Sequence, residues 1–191
     1  MIADFKQREP EQIERLRVER LNRPKQFFDN ALGKYKDANL FDEHELKTKK
    51  PAAEVAGGIS RALASVQPPF VMNREDSPAP EIHLVVATQK FSNGFMSGGE
   101  RMCLIVVGQT KADESQILFK VLEYQRHHRL DMNVLINQLP ISEELIPLSP
   151  SRFPDMTGKL KAQLQEGVSN VTAIIQGAIG QTQTVQPALP Q

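Results

Sequence analysis

The 191-residue chain has no tryptophan, two tyrosines and a single cysteine. One thiol excludes an internal disulfide and a cysteine-rich zinc site. A surplus of charge is missing as well, since 23 Lys and Arg balance 23 Asp and Glu. Zero net charge excludes a strongly basic nucleic-acid clamp, and the composition fits neither a coiled-coil rod nor a fully disordered chain. Long apolar runs are lacking. Met102 to Val107 and the patterned stretch Val168 to Ile179 fall short of the roughly 18–20 residues that span a bilayer. The first ten residues, Met-Ile-Ala-Asp-Phe-Lys-Gln-Arg-Glu-Pro, carry no apolar stretch of secretory-signal length. These absences point to a soluble, cytoplasmic protein able to join a larger assembly. With 40% hydrophobic residues, the chain can build one compact domain, with or without a helical appendage.

What is present divides into regions. Residues 1–66 read as an N-terminal helical region. Ile13, Leu16 and Leu21 form a short amphipathic stripe that is expected to end near Asn22-Arg23-Pro24, because proline suits the first turn of a new helix better than the interior of an old one. A second helix then carries Phe27, Phe28, Ala31, Leu32 and Tyr35. A third spans Pro51 to Val66, with Val55, Ile59, Leu63 and Val66 at helical spacing. Gly57 and Gly58 weaken it by roughly 1 kcal/mol each relative to alanine. Residues 67–80 hold four prolines in fourteen positions and read as a linker or an extended surface segment.

Residues 81–180 are expected to form the α+β domain. Glu81 to Gln89 and Arg101 to Gln109 are β-rich around a loop with three glycines, which predicts a hairpin. Thr110-Lys111-Ala112-Asp113 resembles a helix start, and Ile117, Leu118, Val121, Leu122 and Tyr124 would then line a helix reaching about Leu130. Asp131 to Leu139 would be a third strand. The expectation is therefore a β-β-α-β core, an antiparallel hairpin plus a crossover strand, flanked by N-terminal and C-terminal helices. The C-terminal helix covers Met156 to Gly180, with Gly167 as a candidate break. Residues 181–191 read as a disordered tail.

Few residues carry chemistry. Ser97-Gly98-Gly99-Glu100-Arg101 resembles the short signature of ABC-type and chromosome-maintenance ATPases, but that signature acts beside a phosphate-cradling loop. No GxxxxGK[ST] occurs in the chain, so these glycines read as a hairpin loop needing positive φ. Cys103 is a candidate nucleophile if a histidine stands within hydrogen-bond reach. In a hairpin whose paired indices sum to about 190, Cys103 faces Ala87 and His83 faces Val107. The thiol and that imidazole then lie four residues apart, about 13 Å, which is too far for proton transfer. His127 or His128 could approach Cys103 from the helix end. As neighbours on a helix those two histidines point about 100° apart and cannot grip one metal. No cofactor or metal site is expected.

Three functions follow. The first is a non-enzymatic interaction or assembly subunit, an adaptor whose partner contacts come from Phe27, Phe28, Val55, Ile59, Leu63, Val171, Ile174 and Ile175. The second is a cysteine-dependent hydrolase or deamidase using Cys103 and a histidine. The third is a nucleic-acid accessory protein using the N-terminal helices. There Arg15, Arg17, Arg20, Arg23 and Lys25 cluster, yet residues 1–50 hold only 12 basic against 10 acidic side chains, and Glu11, Glu14 and Glu19 suggest intrahelical pairing instead.

Overall fold

A computed structural model describes residues 2–33, 43–92, 98–129, 142–147 and 157–180. In chain order the elements are α1 (Ile2–Leu32), β1 (His44–Thr48), α2 (Ala52–Ser65), β2 (Val71–Ala79), β3 (Ile82–Ser92), β4 (Gly98–Lys111), β5 (Glu114–Arg129), β6 (Ser142–Pro147) and α3 (Thr157–Ile179). The class is α+β, built on an antiparallel sheet ordered β1-β5-β4-β3-β2. Two short strands share the outer edge of β5: β1 pairs with residues 115–119 and β6 with residues 124–129.

Apart from Lys120, buried opposite Leu104, the center of the sheet is apolar on both faces, and that explains the arrangement of the helices. Met102, Leu104 and Val106 of β4 face one side with Leu118 and Leu122 of β5, and Phe28 of α1 covers them. Cys103, Ile105 and Val107 face the other side with Ile117, Phe119 and Val121, beneath Val55, Ile59 and Leu63 of α2 and Val171, Ile175 and Ile179 of α3. Each fully buried aliphatic or aromatic side chain contributes roughly 1.5–3 kcal/mol. The result is three layers, with α1 below the sheet and α2 and α3 above it.

Several expectations change here. The segment after Thr110 is a strand, not a helix. Ala112 and Asp113 are the turn between β4 and β5, and Thr110 Oγ1 donates to the Glu114 carbonyl instead of capping a helix. Gln109 fixes that turn: its Nε2 donates to the carbonyls of Lys111, Ala112 and Glu114, while its Oε1 accepts the Ala52 N–H at 2.6 Å. One side chain thus joins the β4–β5 turn to the first residue of α2. The crossover helix of the β-β-α-β scheme does not exist, because β3, β4 and β5 form a meander. The strand expected at Asp131 to Leu139 lies outside the described residues, as does the tail 181–191.

Residues 71–79, expected in a linker, form β2 at the edge of the sheet. Pro78 is tolerated there since an edge strand leaves part of its backbone unpaired, and the β2–β3 register shifts between Asp76 and Ala79. The break expected at Pro24 is absent, and α1 runs through it. Proline in a helix forfeits a hydrogen bond, but the Pro24 ring is buried against β4 at Gly108, where any Cβ would overlap it. α3 likewise runs unbroken through Gly167. It stops at Gly180, whose φ of 73° closes the helix with an N–H bond to the Gly177 carbonyl.

Candidate functional site

Antiparallel pairing places rows of side chains on the face beneath α2 and α3. Val85–Ile105–Phe119 is apolar, and so is Ala87–Cys103–Val121. The next row is Gln89–Arg101–Glu123, polar in three consecutive strands. Arg101 donates from Nε and Nη2 to one Glu123 oxygen, at 2.6 and 2.5 Å. Its side chain is 14% exposed and that of Glu123 is 0% exposed. Gln89 is buried and donates to the Pro68 carbonyl at 2.6 Å, and the Phe91 ring lies 5.7 Å from the guanidinium carbon.

α3 crosses this row at Gly167, where a Cβ would come within 2.5 Å of Glu123 Oε1 and 2.8 Å of Arg101 Nε. The glycine is there because the helix axis passes too close to the ion pair for a side chain. Beyond it a cleft of about 420 Å³ opens, walled by Phe70, Phe91, Val171 and Ile174, with Arg101 and Asn170 among its polar groups. The Phe70 N–H donates to the Leu63 carbonyl at 3.0 Å, which folds the segment after α2 back over the cleft.

Cys103 stands one row further into the core, between Ala87 and Val121, with no exposure. Burial pushes its thiol up from the ordinary range; Arg101 pulls weakly the other way and Glu123 adds to the rise. A protonated, inaccessible thiol is not an attacking group. The hairpin register expected for β3 and β4 is the one observed: Ala87 faces Cys103 and His83 faces Val107. His83 Nδ1 instead lies 2.8 Å from Ser77 Oγ.

His127 and His128 belong to β5, not to a helix, at register positions opposite Glu144 and Glu143 of β6. His127 is six residues from Val121, about 20 Å along the strand from the position facing Cys103. Among the described residues no histidine approaches Cys103, and the one hydroxyl–imidazole pair, Ser77 with His83, is exposed at the sheet edge. Among the described residues no group of three or more His, Cys, Asp or Glu side chains could hold a metal, and no helix is long and apolar enough to cross a membrane.

The residues expected to meet a partner lie in the chain's own core. Phe28, Ile59, Leu63, Val171 and Ile175 are 0% exposed and Val55 is 2% exposed, while Phe27 and Ile174 are half-buried. The polar row escaped the sequence reading for a specific reason. Indices summing to 190 set Gln89 opposite Arg101 at the start of the second strand, but the pattern around Glu123 mimics a helix, which hides the third member of the row.

A second feature lies on the other side of the sheet. Every side chain from Glu14 to Arg20 of α1 is exposed, including Leu16 at 65% and Val18 at 47%. Arg15 pairs with Glu19 at 3.2 Å and Arg17 with Glu14 at 3.5 Å. Arg20 reaches Glu81 at 2.6 Å, in the β2–β3 turn, where Glu81 adopts a φ of 66°. The helix is anchored further on, by Phe28 in the core and by Lys25, which bonds Asp29 and Glu43. Burial lowers the Lys25 pKa, but those two carboxylates outweigh it and hold the group above its usual value.

No protein-family model matches the chain, and no curated protein or solved structure is similar to it.

Proposed function

We propose that this chain is a non-enzymatic interaction or assembly subunit, and that the N-terminal half of α1 is its docking element. The exposed stretch Glu14 to Arg20 carries this reading, because it presents Leu16 and Val18 to solvent on a helix whose other half is locked into the core. Helix propensity alone gives marginal stability over such a length, and helices in proteins are held chiefly by packing of an apolar face. A partner that packs on Leu16 supplies that face, and Val18, about 160° further around the helix, is covered only by a partner that wraps it. The stripes of α2 and α3 do not serve this role, since the sheet already covers them. Arg15, Arg17 and Arg20 of α1 engage Glu19, Glu14 and Glu81, which favours a protein surface over a phosphate backbone as the partner. The buried Cys103 weighs against the cysteine-enzyme alternative.

Hydrogen exchange with light scattering tests the proposal. In the dilute monomer the amides before Pro24 should exchange much faster than those of β4, and they should become protected on self-association or on binding to an assembly partner. Leu16→Glu with Val18→Glu should abolish that protection and leave the sheet unchanged. Core-level protection of residues 2–22 in the monomer would refute a docking role.

A further inference from the structure

The row Gln89–Arg101–Glu123 has a second reading, independent of α1, since the cleft it borders lies on the opposite face of the sheet. Stability explains the row poorly. Replacing a desolvated ion pair with well-packed apolar residues is often neutral or favourable, and the two rows beside it show that apolar residues fit this face. We infer that the cleft of about 420 Å³ is a binding site for a small, uncharged, planar molecule that presents a hydrogen-bond acceptor, such as an aromatic amide or a heteroaromatic ring.

Each part of that description comes from a named group. The volume lies within the range of roughly 300–1,000 Å³ typical of small-molecule sites. Phe70 and Phe91 supply aromatic walls, and Val171 and Ile174 of α3 supply aliphatic ones, a lining suited to a flat apolar body. Arg101 supplies the donor. A guanidinium has five N–H groups, and only its Nε and Nη2 positions are bonded to Glu123, on a side chain that borders the cleft. The ligand is uncharged because Glu123 already balances Arg101 and no other ionisable side chain lines the cleft. An entering carboxylate would stand as a second anion near Glu123 in desolvated surroundings, which disfavours its charged form. Asn170 offers both a donor and an acceptor at the same cleft, which matches an amide.

Benzamide and benzoate are the probes, titrated into the full chain carrying labelled Val and Ile methyls and labelled Arg side chains. Benzamide at low millimolar concentration should shift the Val171, Ile174 and Arg101 Nε resonances saturably, and benzoate should bind at least about tenfold more weakly. Ala173→Trp and Asn170→Trp alter exposed positions of α3 that line the cleft, so each should fill it while the remaining methyl spectrum stays folded. Loss of the benzamide shifts in these variants supports the assignment. Absence of shifts in the unmodified chain, persistence of the shifts in both tryptophan variants, or benzoate binding as tightly as benzamide would each overturn it.

Discussion

Replacing Arg101 with methionine removes the guanidinium and keeps most of the apolar stem, leaving Glu123 without its two charge-assisted bonds from Arg101. Burial decides the size of the effect. An exposed pair would contribute about 0–1 kcal/mol, but Glu123 is 0% and Arg101 only 14% exposed. Breaking a buried pair from one side costs about 3–5 kcal/mol, a large share of the roughly 5–15 kcal/mol that holds a domain folded. At about 2–4 °C per kcal/mol for a chain of this size, Tm should fall by about 6–20 °C. The double variant Arg101→Met with Glu123→Met removes both members of the pair and should recover most of what Arg101→Met loses. Urea melts of all four proteins measure the coupling directly. A loss below about 1 kcal/mol in Arg101→Met, or a double variant as unstable as the sum of the singles, would show that the pair is solvated and the reasoning wrong.

The helix above the pair offers a matched control. Gly167→Ala should destabilise by about 1–3 kcal/mol in urea melts because its Cβ meets Glu123 and Arg101, whereas Gly177→Ala, with nothing within 4 Å, should gain up to about 1 kcal/mol of helix propensity. The raised thiol of Cys103 makes stability depend on pH at the alkaline end. Above its ordinary pKa of 9.0 the unfolded thiol releases a proton that the folded one keeps, so the thiol's contribution to stability is constant below that pH and falls by up to about 1.4 kcal/mol per unit above it. Cys103→Ala should lack this part of the slope in melts at pH 8 to about 10.5, and an unchanged slope would place the thiol in solvent. Gln109→Ala removes four side-chain bonds at the β4–β5 turn. The loss should reach about 1–3 kcal/mol, with faster hydrogen exchange at Ala52 as its local signature.

The parts of the fold visible in sequence were those with a single exposed face or a chemical stop. α2 shows its stripe of Val55, Ile59 and Leu63 because one side meets solvent, and α3 ends at a glycine that can take positive φ. The β3–β4 register followed from hairpin arithmetic. β5 resembles a helix in sequence for a physical reason. A strand buried on both faces loses its period of two, and the apolar residues that remain at 117, 118, 121 and 122 mimic a helical stripe. Pro24 signalled a break because proline carries a local cost, while the compensating fit against Gly108 is made across the fold.

From the sequence alone came the α+β class and the positions of the apolar helix stripes, both set by composition and by contacts within a few residues. Tertiary structure decided which stripes are covered. It assigned Phe28, Ile59 and Ile175 to the chain's own core and left Leu16 and Val18 outside it. It also brought Arg101 and Glu123, 22 residues apart, into one row under Gly167. Local propensity cannot carry that information, because a pair across strands exists only once register has been chosen, and register is settled by burying both faces of the sheet at once.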